Sequence, residues 1–242
     1  TAYEIVSRDW SSDVCSSDLR QVADDDLCAS FQRIEEARAG IGLTYFEFGT
    51  LAAVDLFIHA GVDVAILEVG LGGRLDAVNA FEPDCSVVTT VDLDHLDYLG
   101  DTREKIGFEK AGIFRQGRPA VCADRDPPRS LTAHAEDIGA KLLLIGRGFD
   151  FSRDSGQWQY RGPGGRRSAL PHPALRGEFQ HANAAAAITA LDTLRDRLHL
   201  GMQDIRGGLV SVELPGRFQV LPGRPVTVVD VAHNAQAAST LA

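Results

Sequence analysis

Val62-Asp-Val-Ala-Ile-Leu-Glu-Val69, closed by Gly70, is short, rich in β-branched residues and almost continuously apolar. A run of that kind fits a central parallel strand covered on both faces. Just upstream, Thr44-Tyr-Phe-Glu47 places a hydroxyl and a carboxylate to satisfy the orphan amides of a helix that continues through the apolar run 48–58. Downstream, 85–91 repeats the strand design and ends in Asp92. Asp101 with Glu104 predicts a capped helix over 102–114, and 119–122 reads as another strand. Next come a helix over 131–139, a strand over 141–145 and a β-hairpin over 149–160 turning near Gly156. Ala184, Ala187, Ile188, Leu191, Leu194 and Leu198 form one stripe of a helix over 181–200, and a shorter helix covers 202–210. The expected fold class is α/β, a mostly parallel sheet flanked by helices with an antiparallel excursion. Two Pro-Gly turns, Leu214-Pro-Gly-Arg217 and Leu221-Pro-Gly-Arg224, mark a boundary, and a strand over 226–229 opens a new segment beyond it.

Composition narrows the classes. At 242 residues, 44% hydrophobic and 24% charged, the chain has a globular composition with room for a sizeable core, which excludes disordered, collagen-like and coiled-coil proteins. Lys+Arg 24 against Asp+Glu 34 gives −10, so no nucleic-acid partner is expected, and an anionic ligand must be met by local cations or a metal. Cys15, Cys28, Cys85 and Cys122 contain no Cys-x-x-Cys pair and suit a reducing, cytoplasmic setting. No apolar run approaches the roughly 18 residues of a membrane span, and no signal segment opens the chain.

The chain begins at Thr1, and residues 9–19, Asp-Trp-Ser-Ser-Asp-Val-Cys-Ser-Ser-Asp-Leu, follow neither helical nor strand periodicity. They match one reading frame of a sequencing adapter, so residues 1–20 are read as non-native; the alternative is a disordered native arm. On that reading the chain is a fragment truncated at both ends.

Chemistry is expected where strands end, because open parallel sheets gather ligands beyond their carboxyl edges. Those ends carry Glu68 with Gly70-Leu-Gly-Gly-Arg-Leu-Asp76, and Asp92-Leu-Asp-His-Leu-Asp97. A carboxylate inside an apolar strand is costly unless paired, so Glu68 should face a metal, a cation or a donor, or form a salt bridge to Arg74. Asp92, Asp94, His95 and Asp97 either bind a divalent cation or form a helix-capping loop. Lys110, one of three lysines, lies in a mostly apolar helical stretch; it is either a reactive amine or the surface partner of Glu109. Asp230, His233 and Asn234 come after a buried run and make a further site plausible. No Gly-x-x-x-x-Gly-Lys-[Ser/Thr] occurs, so a complete ATP-phosphate loop is absent from these residues.

Six segments, 43–50, 66–79, 93–100, 109–114, 214–219 and 230–234, resemble in order and spacing the bacterial dihydrofolate synthase/folylpolyglutamate synthase family of the Mur ligase superfamily. The long Glu68-Val-Gly-Leu-Gly-Gly-Arg-Leu-Asp76 block is the most specific. The resemblance covers about residues 21–242. It implies an ATP-dependent amide ligase that phosphorylates a pterin-linked carboxylate and lets the amine of L-glutamate attack the acyl phosphate, with ATP and Mg²⁺ as cofactors and a monomeric enzyme. By position it implies Glu68, His95 and a carbamylated Lys110 as catalytic metal ligands around a shared ion. Asn183 is implied as the adenine contact, and Arg217, Asp230 and His233 as nucleotide-side residues. The implied organisation is a partial ATP-binding ligase domain without its phosphate loop over 21–213, a linker over 214–225, and the start of a Rossmann-like C-terminal glutamate-ligase domain over 226–242. Without a phosphate loop this chain is expected to have little or no ligase activity. Competing readings are another Mur-type amino-acid ligase, a metal-dependent hydrolase using Asp92, Asp94, His95 and Lys110, and a non-catalytic nucleotide-binding module.

Overall fold

The computed structural model describes residues 2–5, 14–15, 22–154 and 156–231. The chain divides into two compact units, Thr1–Glu82 and Pro83–Ala242.

In the first unit, β1 (Ala2–Ile5) and β2 (Val14–Cys15) precede α1 (Asp24–Ala37), α2 (Tyr45–Ala60) and β3 (Val64–Leu67). The capping box at the start of α2 forms as expected: the Glu47 amide donates to the Thr44 hydroxyl at 3.2 Å, and the Thr44 amide donates to Glu47 at 2.7 Å. Gly61, at φ 62°, ends the helix in the left-handed conformation that glycine adopts without strain. Helices α1 and α2 are joined by Asp55, which accepts from Ser30 Oγ at 2.7 Å and pairs with Arg33 at 2.5 Å.

The strand expected over 62–69 is shorter than its apolar run, and it lies at an edge. The sheet order is β2-β1-β3, with β3 parallel to β1. Ala53 and Phe57 of α2 cover Val62 and Leu67, whereas Ile66 is 50% exposed. Among the described residues α2 packs on the Leu67 face and no apolar cover lies over Ile66, which is the reason the expected burial on both faces is not found.

The second unit is built on β4 (Ser86–Val88), β5 (Pro119–Cys122) and β6 (Lys141–Leu144), a parallel sheet in that order. Between its strands come α3 (Leu96–Leu99), α4 (Arg103–Ala111) and α5 (Arg129–Asp137). The two-residue period of β5 divides the core. Ala120 and Cys122 face one cluster with Ile106, Phe114, Leu131 and Ala135; Val121 and Ala123 face the other with Trp158, Tyr160, Ala185 and Ile188. This strand, not β3, is buried on both faces.

Beyond β6 the expected hairpin is a three-stranded antiparallel sheet, β7 (Asp150–Arg153), β8 (Trp158–Gly162) and β9 (Gly165–Leu170). It lies with α6 (Gln180–Thr193) and α7 (Met202–Ser211) around the second core cluster. Helix α6 stops seven residues short of the expected end, and its buried face is rotated: Ala185, Ile188, Thr189 and Asp192 are inside, and Ala187 is exposed. Polar residues are tolerated there because they are paired, Thr189 with Tyr160 and Asp192 with Tyr160 and Arg167. The last described elements, β10 (Gln219–Leu221) and β11 (Thr227–Val229), pair antiparallel around the second Pro-Gly turn.

The expected cap of α4 also differs. Thr102, not Asp101, receives the Lys105 amide, at 3.3 Å, and Asp101 pairs with Lys105 Nζ at 2.8 Å. Glu104 is turned away to the next helix, where it accepts from the Arg129 and Ser130 amides at 3.0 and 2.7 Å.

Candidate functional site

In the first unit the glycine-rich loop after β3 is organised by Asp76. One carboxylate oxygen accepts from the Leu71 amide at 2.9 Å; the other accepts from Val78 at 2.9 Å and caps the 3-10 turn Ala77–Ala80. Gly72, at φ 69°, supplies a left-handed turn. Glu68 stands just past the end of β3 and is exposed. Contrary to the expectation, this carboxylate does not sit inside an apolar strand, and water is available to it.

In the second unit the counterpart loop leaves β4. Val91 is 2% exposed; after it Asp92 accepts from the Leu93 amide at 2.7 Å, and Asp94 from the His95 amide at 2.9 Å. His95 then takes φ 49°, ψ 47°, and its carbonyl accepts from the Tyr98 and Leu99 amides that open α3. A left-handed residue other than glycine is costly and is retained where the surroundings over-determine it, typically at a functional site. The imidazole is 49% exposed, with Nε2 3.9 Å from Asp94 Oδ1. Lys110 is half-buried in the last turn of α4, the helix that α3 contacts. An open cleft of about 460 Å³ between these helices is lined by Tyr98, Leu99, Glu104, Lys105, Phe108 and Glu109.

Among the described residues no three His, Cys, Asp or Glu side chains come together to hold a metal. Asp92, Asp94, His95 and Asp97 thus run along an exposed segment without forming a cage. An imidazole with a carboxylate 3.9 Å away, both open to solvent, fits a divalent ion such as Mn²⁺, which accepts nitrogen more readily than Mg²⁺ does, with waters or substrate oxygens in most of its positions.

Asn183 lies in the first turn of α6, where its Nδ2 donates to Gln180 Oε1 at 3.2 Å. Its carbonyl oxygen and second N–H remain a donor–acceptor pair suited to an adenine edge. Beside it His181, 8% exposed, shares an N···N hydrogen bond of 2.8 Å with His172 and stacks on Phe151. Burial, reinforced by the charge of His172, holds the His181 pKa below its ordinary value.

Arg217 and Asp230 are brought to one place. The Asp230 carboxylate accepts from the Phe218 amide at 2.7 Å, and Val231 N–H donates to Gly216 at 2.9 Å, so the end of β11 closes on the Pro-Gly-Arg turn. His233 and Asn234 lie outside the described residues.

The structure adds residues that the sequence does not single out. Asp76, Gln180, Arg103 and Asp124 each hold backbone or a side chain at one of these places. Asp124 has a visible signal, since it comes directly after the apolar run 119–123 as Asp92 does after 85–91.

Comparison with known proteins agrees with this architecture. The Mur ligase middle domain matches residues 42–191, over half of the chain. The chain belongs to the Mur ligase middle-domain family. Among relatives, the dihydrofolate synthase/folylpolyglutamate synthase of Escherichia coli (strain K12) is 45% identical over 213 residues, covering 88% of this chain and 49% of that protein. The solved structure of E. coli FolC in complex with DHPP and ADP superposes with a TM-score of 0.90 at 40% identity, over 99% of this chain and 57% of that one. A bifunctional folylpolyglutamate synthase/dihydrofolate synthase with Mn, AMPPNP and L-glutamate bound also gives 0.90 at 40% identity, over 99% of this chain and 58% of the other. The chain spans about half the length of the curated relatives it matches.

Proposed function

We propose that the whole protein is an ATP-dependent carboxylate–amine ligase that adds L-glutamate to dihydropteroate, to folates, or to both. The observation that carries this reading is the similarity, at 45% identity to one curated relative and with a TM-score of 0.90 to two solved structures, to enzymes named for that reaction, the structures holding ADP, DHPP, AMPPNP or L-glutamate. The carboxylate of the pterin-linked acid attacks the γ-phosphorus of ATP and ADP leaves. The glutamate amine then attacks the acyl phosphate, phosphate leaves, and the amine loses a proton as the amide forms.

A divalent cation held here, Mg²⁺ in this reading and Mn in one relative's structure, would supply charge neutralisation for the transferring phosphoryl group. Glu68, His95 and a carbamylated Lys110 are its proposed ligands. Carbamylation joins the Lys110 amine to CO₂; starting from the ammonium two protons leave, one to free the amine and one as the N–C bond forms, so a cation becomes a carboxylate-like donor. The left-handed backbone of His95 and the partly buried stem of Lys110 support those assignments. Asn183 is assigned the adenine edge; Arg217 and Asp230, with His233 beside them, are assigned contacts to the ATP. No helix among the described residues is long and apolar enough to cross a membrane. A cytoplasmic, monomeric enzyme is the proposed setting, in keeping with free thiols at Cys28, Cys85 and Cys122.

The test is ADP release by the whole protein. Release that requires both L-glutamate and dihydropteroate or a folate is expected, with loss of at least a hundredfold in Lys110→Met and a carbamate ¹³C resonance that disappears in that variant. ADP release with a different amino acid, or amide hydrolysis without ATP, would overturn the assignment in favour of another Mur-type ligase or a hydrolase.

A further inference from the structure

We propose that Asp124 and Arg103 are positioning residues for His95: together they fix the direction in which the chain leaves β4, and so where the imidazole stands. The proposal rests on the reading of His95 as a metal ligand.

The ladder between β4 and β5 ends at Val88, so, among the described residues, 89–91 have no strand partner of their own. Side chains take its place. The Val91 amide donates to Asp124 Oδ2 at 2.9 Å, and the Val91 carbonyl accepts from Arg103 Nε at 2.9 Å. The two holders are themselves joined, Arg103 Nη2 to Asp124 Oδ2 at 3.1 Å. Arg103 also reaches Asp126, by Nη1 to its carboxylate at 3.2 Å and by Nη2 to its carbonyl at 2.7 Å; the Asp126 amide donates to Asp124 Oδ1 at 2.9 Å. Both oxygens of Asp124 are thus engaged, and its side chain is only 10% exposed. Burying a carboxylate is costly, and finishing a strand does not require one; holding both backbone groups of one residue from opposite sides does explain it.

Four residues later the chain is at His95. The intervening amides of Leu93 and His95 are taken up by Asp92 and Asp94, and the His95 carbonyl is held by α3. A segment pinned at Val91 and again at α3 leaves His95 little choice of conformation, which accounts for its left-handed backbone. Arg103 also belongs to α4 and precedes Lys110 by seven residues, two turns along nearly the same helix face. One guanidinium therefore ties the strand end that carries His95 to the helix that carries Lys110.

The experiment uses the 242-residue chain with Mn²⁺ alone as the probe, read by the electron paramagnetic resonance of free Mn²⁺ and by broadening of the His95 Cε1 proton. Arg103→Lys keeps the charge but loses the forked contact. It is expected to weaken Mn²⁺ binding about tenfold while the thermal midpoint stays close to the parent. His95→Ala should weaken binding at least as much, and the double variant should be no weaker than His95→Ala, because both changes act through one ligand. Loss in His95→Ala with unchanged binding in Arg103→Lys would overturn the positioning role and leave the metal reading standing. No Mn²⁺ effect at His95 in the parent chain, or none from His95→Ala, would remove the metal reading and this proposal with it. Should Arg103→Lys fail to fold, Asp124→Asn takes its place: it keeps an acceptor for Val91 and weakens the bond to Arg103, with a several-fold loss expected and unchanged binding overturning the proposal.

Discussion

Asp192 of α6 and Arg167 of β9 form a two-pronged ion pair, Nη2 to Oδ1 at 2.5 Å and Nη1 to Oδ2 at 2.9 Å, with side chains 4% and 15% exposed. The same carboxylate accepts from the Tyr160 hydroxyl and the Gly164 amide, each at 3.0 Å. It is the polar joint between the antiparallel sheet and the last turn of α6.

Removing one partner of such a pair strands the other. Asp192→Ala leaves Arg167, Tyr160 and Gly164 without their acceptor and is expected to cost about 3–5 kcal/mol. Asp192→Asn, which keeps an acceptor but no charge, should cost less. Urea unfolding measures both; a loss in Asp192→Ala below about 1 kcal/mol would mean that water replaces the pair.

Acid should loosen the first unit through Asp55. The hydrogen bond from Arg33, opposed by burial and aided by Ser30, holds this carboxyl below its ordinary value of 3.8. A lowered carboxylate pKa means that the unfolded chain binds the proton more readily. The stability from Asp55 is therefore complete above pH 3.8 and is lost as pH falls through the lower, folded value. Unfolding measured from pH 6 down to about 2 should show a shallower acid decline in Asp55→Asn than in the parent. Parallel declines in the two proteins would exclude this carboxyl as a source.

The parts of the fold that can be read from the sequence are those with local causes. The Thr44–Glu47 box forms because both partners lie within one turn, and the alternation at 119–122 becomes a strand because each face has its own core. The parts that cannot be read depend on distant partners. Glu104 is spaced to close its own helix and instead caps α5, twenty-five residues away. Asp192 and Thr189 disguise the buried face of α6, since a stripe of apolar residues does not reveal polar groups satisfied from another element. The third strand, β9, has a local cue in the turn Gly162-Pro-Gly-Gly165, which the hairpin expected over 149–160 leaves out. At the candidate site, strand-end positions point to Glu68 and His95. The holders Arg103 and Asp124 need coordinates, because their targets are backbone atoms far along the chain.

The cysteines should separate by reactivity. Cys122 is fully buried in β5, and burial pushes its thiol up to about 11, whereas Cys28 is exposed on α1. At pH 8 a thiol so shifted stays protonated, and thiolate is the reacting form. Brief treatment with a maleimide, then peptide mass spectrometry, should therefore label Cys28 and spare Cys122, and urea should expose Cys122 to the reagent. Equal labelling of the two in the folded chain would contradict the buried position of β5.

The glycine block after β3 makes a further claim that stability measurements can settle. A Cβ added at Gly70 would lie 2.6 and 2.8 Å from ring atoms of Phe46, the second residue of α2, so the loop lies against that ring with no room for a side chain unless the ring moves. The ring must give way if one is added. Gly70→Ala is expected to cost about 1–3 kcal/mol, and pairing it with Phe46→Ala, which empties the space, should cost less than the sum of the two single changes. Asp76→Ala acts on the same loop by a different route, freeing the Leu71 and Val78 amides, and should cost about 1 kcal/mol as the loss of a helix cap does. If Gly70→Ala and Phe46→Ala simply add in urea unfolding, loop and helix are not in contact, and the direction in which the chain passes from Glu68 into the loop is set by Asp76 alone.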